Sequence, residues 1–223
     1  MVPNEVASCM TWLVPAPGPE RDRLARVIAE LASSYGGPVF APHVTLAGVT
    51  EAAPDAVAGV VARVTAGVAP LEVRLTGVGY EPVFFRSLYL RAEPSARLTA
   101  LHEAAERALG LAPEPYRPHL SLLYADLDED GKPAIAAGLG LARPMTIRVD
   151  AAEVWGDFRA DAGRWRRLAR VPLTGWPAAP LERGDPVGHS VPGRDPGSEP
   201  PDLVHPGDPG KGYVPGPEGH RDR

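Results

Sequence analysis

The stretch Pro115–Tyr124, P-Y-R-P-H-L-S-L-L-Y, sets a histidine and a serine two residues apart inside an apolar run. Read as a strand, its period of two turns His119 and Ser121 to one face and Leu120 and Leu122 to the other, so one face packs and the other is free for chemistry. The arrangement occurs again at Ala41–Val49, A-P-H-V-T-L-A-G-V, where Pro42 precedes His43, Val44, Thr45 and Leu46.

Outward from these two runs the elements repeat. Ala7–Val14 reads as a strand closed by P-A-P-G-P, and Leu24, Val27, Ile28 and Leu31 then hold helical spacing until Gly36-Gly37. The first histidine strand follows. Val57, Val60, Val61 and Val64 predict a helix despite their β-branching, and Leu71–Tyr80 alternates as a strand. In the second round F-F-R-S-L-Y-L-R from Phe84 reads as a strand, and Pro94-Ser95 opens a helix with Leu98, Leu101, Ala105 and Leu109 on one stripe. After the second histidine strand come a weak helical segment over 128–139 and two strands, Met145–Trp155 and Trp165–Leu173, joined by the polar segment G-D-F-R-A-D-A-G-R. Strand, helix, histidine strand, helix, strand thus occurs twice. The expectation is an α+β fold of two pseudo-symmetric lobes, each a small antiparallel sheet with outer helices, around a central cleft that receives both histidines.

Composition narrows the function. A chain of 223 residues buries roughly 70% of its unfolded surface and needs no disulfide or metal staple. Cys9 is the only cysteine, so no internal disulfide or cysteine-rich zinc site can form, and a reducing, cytoplasmic setting is expected. No stretch approaches the roughly 20 apolar residues needed to cross a bilayer, and the N-terminus lacks a signal pattern, so a soluble protein without a membrane partner is expected. The net charge of -5 argues against long nucleic acid as a partner, while a small phosphorylated ligand fits. Beyond Trp176 the composition turns to Pro, Gly, Asp, Glu and Arg. Residues 177–223 therefore read as a disordered tail behind a folded body of 1–176, and His189, His205 and His220 within it carry no expected metal or catalytic role.

One His-x-Thr or His-x-Ser is a weak signal, because a histidine on a half-buried strand is usually a packing residue. Two copies, each after a proline and each on the third element of a repeated topology, favour chemistry. Histidine, with an unperturbed pKa near ~6.5, can act as base in one copy and acid in the other. Thr45 and Ser121 can each donate a hydroxyl to a non-bridging phosphate oxygen. No spaced His/Cys/Asp/Glu set suggests a metal, and no cofactor motif is present. Arg86 and Arg117 could help neutralise phosphate, although such arginines are more often solvated. His102 reads as a surface or flanking residue, and Tyr89 and Trp155 as core.

The chain resembles the 2H phosphoesterase superfamily, in particular its cyclic phosphodiesterase branch. The likeness rests on W-L-V-P at Trp12–Pro15, P-H-V-T-L at Pro42–Leu46, S-L-Y-L at Ser87–Leu90 and P-H-L-S-L-L-Y-A at Pro118–Ala125, and covers about Ala7–Leu173. It implies a metal-independent hydrolase that opens a ribose cyclic phosphate, such as a nucleoside 2',3'-cyclic phosphate or ADP-ribose 1'',2''-cyclic phosphate, to a monoester. On that pattern His43 and His119 are the acid/base pair and Thr45 and Ser121 hold the phosphate. Tyr124 would line the cleft, and Trp12 or Phe84 could stack on a base. Which histidine activates water stays open, with a lean toward His119. A monomer acting on a small-molecule cyclic phosphate is expected. The rivals are an RNA 2',3'-cyclic phosphodiesterase or 2'-5' RNA ligase-like enzyme, and a catalytically silent nucleotide-binding module.

Overall fold

The computed structural model describes residues 6–141, 143–157 and 164–175. The expected tail over 177–223, and most of the segment joining the last two strands, lie outside the described residues.

Among the described residues seven strands and four helices follow the expected order. They are β1 (Ala7–Pro15), α1 (Pro19–Tyr35), β2 (Val44–Ala52), α2 (Pro54–Val64), β3 (Leu71–Gly79), β4 (Leu88–Ala92), α3 (Ala96–Ala108), β5 (His119–Leu123), α4 (Lys132–Gly138), β6 (Met145–Gly156) and β7 (Arg166–Pro172). α1 and α2 both begin on a proline, whose missing N–H costs nothing at a helix start. α3 is capped by Ser95, whose Oγ accepts from the Leu98 amide at 3.2 Å. In α2 the apolar spacing outweighs the β-branching: Val57 and Val61 are buried and the helix forms. The first three helices turn their stripes onto the sheet, with α1 against β5, α3 against β2, and α2 against β6 and β7.

The strands pair antiparallel in the order β1-β2-β5-β4-β3-β6-β7, and β6 also pairs with β1. β6 is the shared wall. Its first part, Met145–Val149, runs beside β3, and its second part lies between β1 and β7. One lobe is therefore β2, β1, β6 and β7, and the other is β5, β4, β3 and β6, both antiparallel. Between the two histidine strands the described pairing is Val44 opposite Leu120, one position along from each histidine. The strand pattern thus delivers two related lobes and seats both motifs at their junction.

One expected strand boundary is corrected. Phe84–Arg86 form a short 3-10 turn, and β4 starts only at Leu88. The Glu81 amide donates to the Arg86 carbonyl at 3.0 Å and the Arg86 amide to Val83 at 2.9 Å, which closes the chain locally instead of in the sheet. Phe84 and Phe85 are consequently 37% and 51% exposed.

The alternation on β1 shows how the layers divide. Cys9 and Leu13 enter the main core under the helices, whereas Met10, Trp12 and Val14 point to the opposite face, where Ala151, Trp155 and Trp165 complete a second apolar cluster. The histidine strands follow the same rule: Val44, Leu46, Leu120 and Leu122 are core, which leaves the motif side chains for the other face.

Candidate active site

His43 lies just before β2 and is 3% exposed. Its Nδ1 sits 2.7 Å from the Ala41 carbonyl oxygen. A carbonyl can only accept, so Nδ1 carries the proton and Nε2 the lone pair. Nε2 in turn lies 3.3 Å from the Tyr124 hydroxyl. The ring stacks flat on Trp12, with centroids 3.6 Å apart and planes at 7°, and Phe40 meets it edge-on at 5.7 Å. Burial holds its pKa down at about 3; the Ala41 hydrogen bond opposes this, and charge on nearby His119 adds to it. His43 is a neutral imidazole at working pH.

His119 opens β5 and shows the same backbone tie, Nδ1 lying 2.9 Å from the Arg117 carbonyl. Its aromatic neighbour is Tyr89, edge-on at 5.3 Å. Burial lowers its pKa below the ordinary value, the Arg117 carbonyl and Glu81 pull it back up, and the guanidinium groups of Arg86 and Arg117 push it down. The two halves match in register: Trp12 is the cross-strand neighbour of Thr45 and Tyr89 that of Ser121. Each histidine thus packs on the aromatic residue opposite its own motif's hydroxyl. Tyr89, expected in the core, is half-buried beside the site instead.

The hydroxyls cross over. Ser121 lies 3.4 Å from the Phe85 carbonyl, to which it can donate, and also hydrogen-bonds Tyr124. The Tyr124 hydroxyl therefore joins Ser121 of one motif to His43 of the other. Burial raises its pKa to about 12, so it remains a protonated donor. Thr45 is half-buried and lines a cavity of about 380 Å³ together with His119, Arg86, Tyr116 and His102. Each histidine is thereby associated with the hydroxyl residue of the opposite motif.

Of the aromatic residues expected to meet ligand, Tyr124 stacks on Phe40 with centroids 4.1 Å apart and bridges the motifs. Trp12 is fully buried, so its flat face is taken by His43 and it offers no open surface to a base. Phe84 stands at the exposed turn, 6.4 Å from Tyr124, and Phe85, which the sequence reading passed over, meets Tyr124 edge-on at 5.4 Å. Gly37 permits this packing: its φ is +136°, and a Cβ there would come within 2.4 Å of the Tyr124 carbonyl oxygen.

His102 is corrected from a surface residue to a buried one, 6% exposed. Its Nδ1 lies 2.8 Å from the Leu46 carbonyl, its Nε2 lies 3.3 Å from Glu106, and its ring stacks on Tyr116 at 3.8 Å. The Tyr116 hydroxyl donates to the Thr45 carbonyl at 3.0 Å. α3 thereby braces the first motif and the loop that enters the second. A signal existed in the sequence, because His102 is four residues after Leu98 and three before Ala105, on the buried stripe. Among the described residues no group of three His, Cys, Asp or Glu side chains is placed to hold a metal ion.

Residues 19–159 match the sequence profile described as the 2'-5' RNA ligase superfamily. The chain belongs to that superfamily, the 2H phosphoesterases. A cyclic phosphodiesterase of Arabidopsis thaliana is similar to this 2H phosphoesterase at 28% identity over 122 residues, covering 54% of this chain and 67% of that protein. A 2',3'-cyclic-nucleotide 3'-phosphodiesterase of Phaeosphaeria nodorum is 26% identical over 178 residues, 72% of this chain and 89% of its own length. Among solved structures, apo E. coli LigT matches with a TM-score of 0.53 at 20% identity, over 76% of this chain and 99% of LigT. TT0787 of Thermus thermophilus matches with 0.51 at 18% identity, over 75% and 98%. At such identities these structures establish the fold, and the 2H phosphoesterase assignment makes the chain an enzyme. Among its described residues no helix is long and apolar enough to cross a membrane.

Proposed function

We propose that the folded body, residues 1–176, is a cyclic phosphodiesterase that hydrolyses a ribose cyclic phosphate, of the nucleoside 2',3'- or ADP-ribose 1'',2''- kind, to a phosphomonoester without a metal. The observation that carries this reading is the crossed arrangement of the motifs, Ser121 reaching His43 through Tyr124 and Thr45 sharing a cavity with His119. The names of the two relatives point the same way.

The proton roles follow from the environments. When the pair holds one proton, it resides on the ring with the higher pKa, and burial depresses His43 to about 3. His43 is then the base: its Nε2 takes a proton from water as the water oxygen bonds to phosphorus. His119 is the acid: its Nε2–H goes to the ribose oxygen as the phosphorus–oxygen ring bond breaks. This reverses the lean of the sequence reading. Thr45 and Ser121 donate to the non-bridging oxygens, and substrate binding exchanges the Tyr124–His43 hydrogen bond for one to the attacking water.

Phosphorus NMR on a panel of cyclic phosphates tests the activity, with conversion to a monoester expected in excess EDTA. Loss of all turnover on adding EDTA would contradict the metal-independent scheme. The roles are tested with an aryl phosphodiester, whose phenolate leaves without a proton: His119→Asn should retain far more activity on it than His43→Asn does. Both lowered histidine pKa values also place the optimum of the bell-shaped kcat/KM profile below pH ~6.5.

A second reading, an enzyme acting on RNA 2',3'-cyclic ends or 2'-5' linkages, takes its support from the family description. Faster turnover of a cyclic-ended oligonucleotide than of the mononucleotide would favour it.

A further inference from the structure

The two histidines keep unlike company. His43 is enclosed by the rings of Trp12 and Phe40. His119 faces a set of polar side chains gathered on one residue, Glu81, which follows β3 and belongs to neither motif. The backbone of Glu81 is fixed at both ends of its peptide unit: its amide donates to the Arg86 carbonyl at 3.0 Å, and its carbonyl accepts from Lys132 Nζ at 2.7 Å. Lys132 opens α4, is 2% exposed, and is also paired with the Glu129 carboxylate. An ammonium taken out of water depends on each partner it has, so this contact anchors the turn that carries Glu81.

The Glu81 carboxylate is shared three ways. The Tyr89 hydroxyl donates to Oε1 at 3.1 Å, Arg86 Nη1 lies 3.3 Å from Oε2, and Arg117 Nη1 lies 3.6 Å from Oε1. Burial and then Glu81 itself raise the Tyr89 pKa, so the phenol stays protonated and goes on donating. Each of the three partners reaches His119 by a different route. The Tyr89 ring meets it edge-on at 5.3 Å, the Arg117 carbonyl takes its Nδ1 proton at 2.9 Å, and Arg86 lines both cavities that His119 walls.

The other charged and titratable groups around the ring are engaged elsewhere. Arg91, the cross-strand neighbour of His119, donates to the Val78 carbonyl. On the α3 side His102 and Glu106 pair with each other at 3.3 Å, Tyr116 donates to the Thr45 carbonyl, and Glu114 is exposed. His43, its pKa held at about 3, is uncharged. The charges that act on His119 are Arg86, Glu81 and Arg117; the two guanidinium groups disfavour its imidazolium and the carboxylate favours it. A ring that has to carry a proton to the ribose oxygen beside two such cations needs a negative charge among them.

We propose that Glu81 is a positioning residue for His119, its single carboxylate fixing Tyr89, Arg86 and Arg117 around the ring and offsetting the two guanidinium groups that face it. The inference rests on the cyclic phosphodiesterase reading, in which His119 is the acid, and adds to it a residue that acts only through that ring.

Glu81→Gln keeps an acceptor for Tyr89 and the arginines and removes the charge. The ratio of wild-type to Glu81→Gln kcat/KM on adenosine 2',3'-cyclic phosphate should rise at least about threefold between pH ~5 and pH ~8, because the basic limb moves to lower pH. Proton NMR of the imidazole Cε1–H signals, with His119 assigned by its absence in His119→Asn, reads the same shift without turnover. The His119 midpoint is expected to be lower in Glu81→Gln than in the wild type and higher in Arg86→Gln, where the carboxylate acts on the ring with one opposing cation fewer. A folded Glu81→Gln protein with a wild-type His119 midpoint, or with a loss of rate that is the same at every pH, overturns the assignment. If Glu81→Gln does not fold, Arg86→Gln decides, and an unmoved or lowered midpoint there overturns it. Absence of turnover by the wild type would overturn the cyclic phosphodiesterase reading, and the titration then decides by itself whether Glu81 governs His119.

Discussion

At the scale of single residues, Tyr124 carries more than lining. Its ring is fixed by Phe40 and its hydroxyl is shared between His43 and Ser121. Tyr124→Phe keeps the stacking and removes the hydroxyl that donates to His43 and accepts from Ser121, so stability should change by less than about 1 kcal/mol in urea unfolding while kcat/KM falls roughly three- to tenfold. The donated hydrogen bond favours the uncharged imidazole. Without it the His43 pKa rises from about 3 and the acid limb of the pH profile moves to higher pH. A variant indistinguishable from wild type in rate and pH profile would reduce Tyr124 to a packing residue. Trp12 shows where reading by residue type stopped short. Its surroundings depend on register with β2, which no local pattern encodes, and register sets it on His43 rather than at an open wall.

At the scale of elements, the strands and helices were legible because their apolar spacing is regular. Even α2, with its many valines, followed the spacing and not the propensity. Phe84–Arg86 were not, because aromatic residues favour strands and the turn is made by backbone contacts to Glu81 and Val83 that lie upstream in the chain. His102 escaped notice since its polarity suggested solvent, whereas carbonyl, carboxylate and aromatic partners from three segments satisfy it in the interior. Because α3 braces both motifs through this ring, His102→Ala should cost about 2 kcal/mol in thermal or urea unfolding. It should also lower kcat by more than KM changes, since the disturbed groups are Thr45 and the loop entering His119. Wild-type kinetics in a destabilised His102→Ala protein would show the brace to be structural only.

At the scale of the molecule, the repeated order of elements announced two lobes, but not that β6 would serve both. Its 12 residues, about twice the usual strand length, were the available hint. The shared strand and the Val44–Leu120 pairing join the lobes where the histidines sit, so burying a neutral His43 becomes part of global stability. The unfolded ring, near pKa ~6.5, binds a proton that the folded ring refuses until about pH 3. Below pH ~6.5 the unfolded state therefore holds more protons, and stability falls with pH through that window. His119, lowered in the same direction, adds to the loss. Between pH ~7 and pH ~5 the His43 contribution is on the order of 2 kcal/mol. Urea unfolding should show that decrease in the wild type and a smaller one in His43→Asn, and equal decreases in both proteins would contradict the burial of a neutral ring.

The central claim is that two histidines, brought together from separate strands, share the proton transfers at one phosphorus. Turnover of adenosine 2',3'-cyclic phosphate by the wild type, His43→Asn, His119→Asn and the double variant tests it most directly. The account predicts a loss of about 10²-fold or more in kcat for each single variant, and a double variant little worse than the poorer single, because the residues act as one unit. Wild-type kcat in either single variant, with the fold intact, would contradict it.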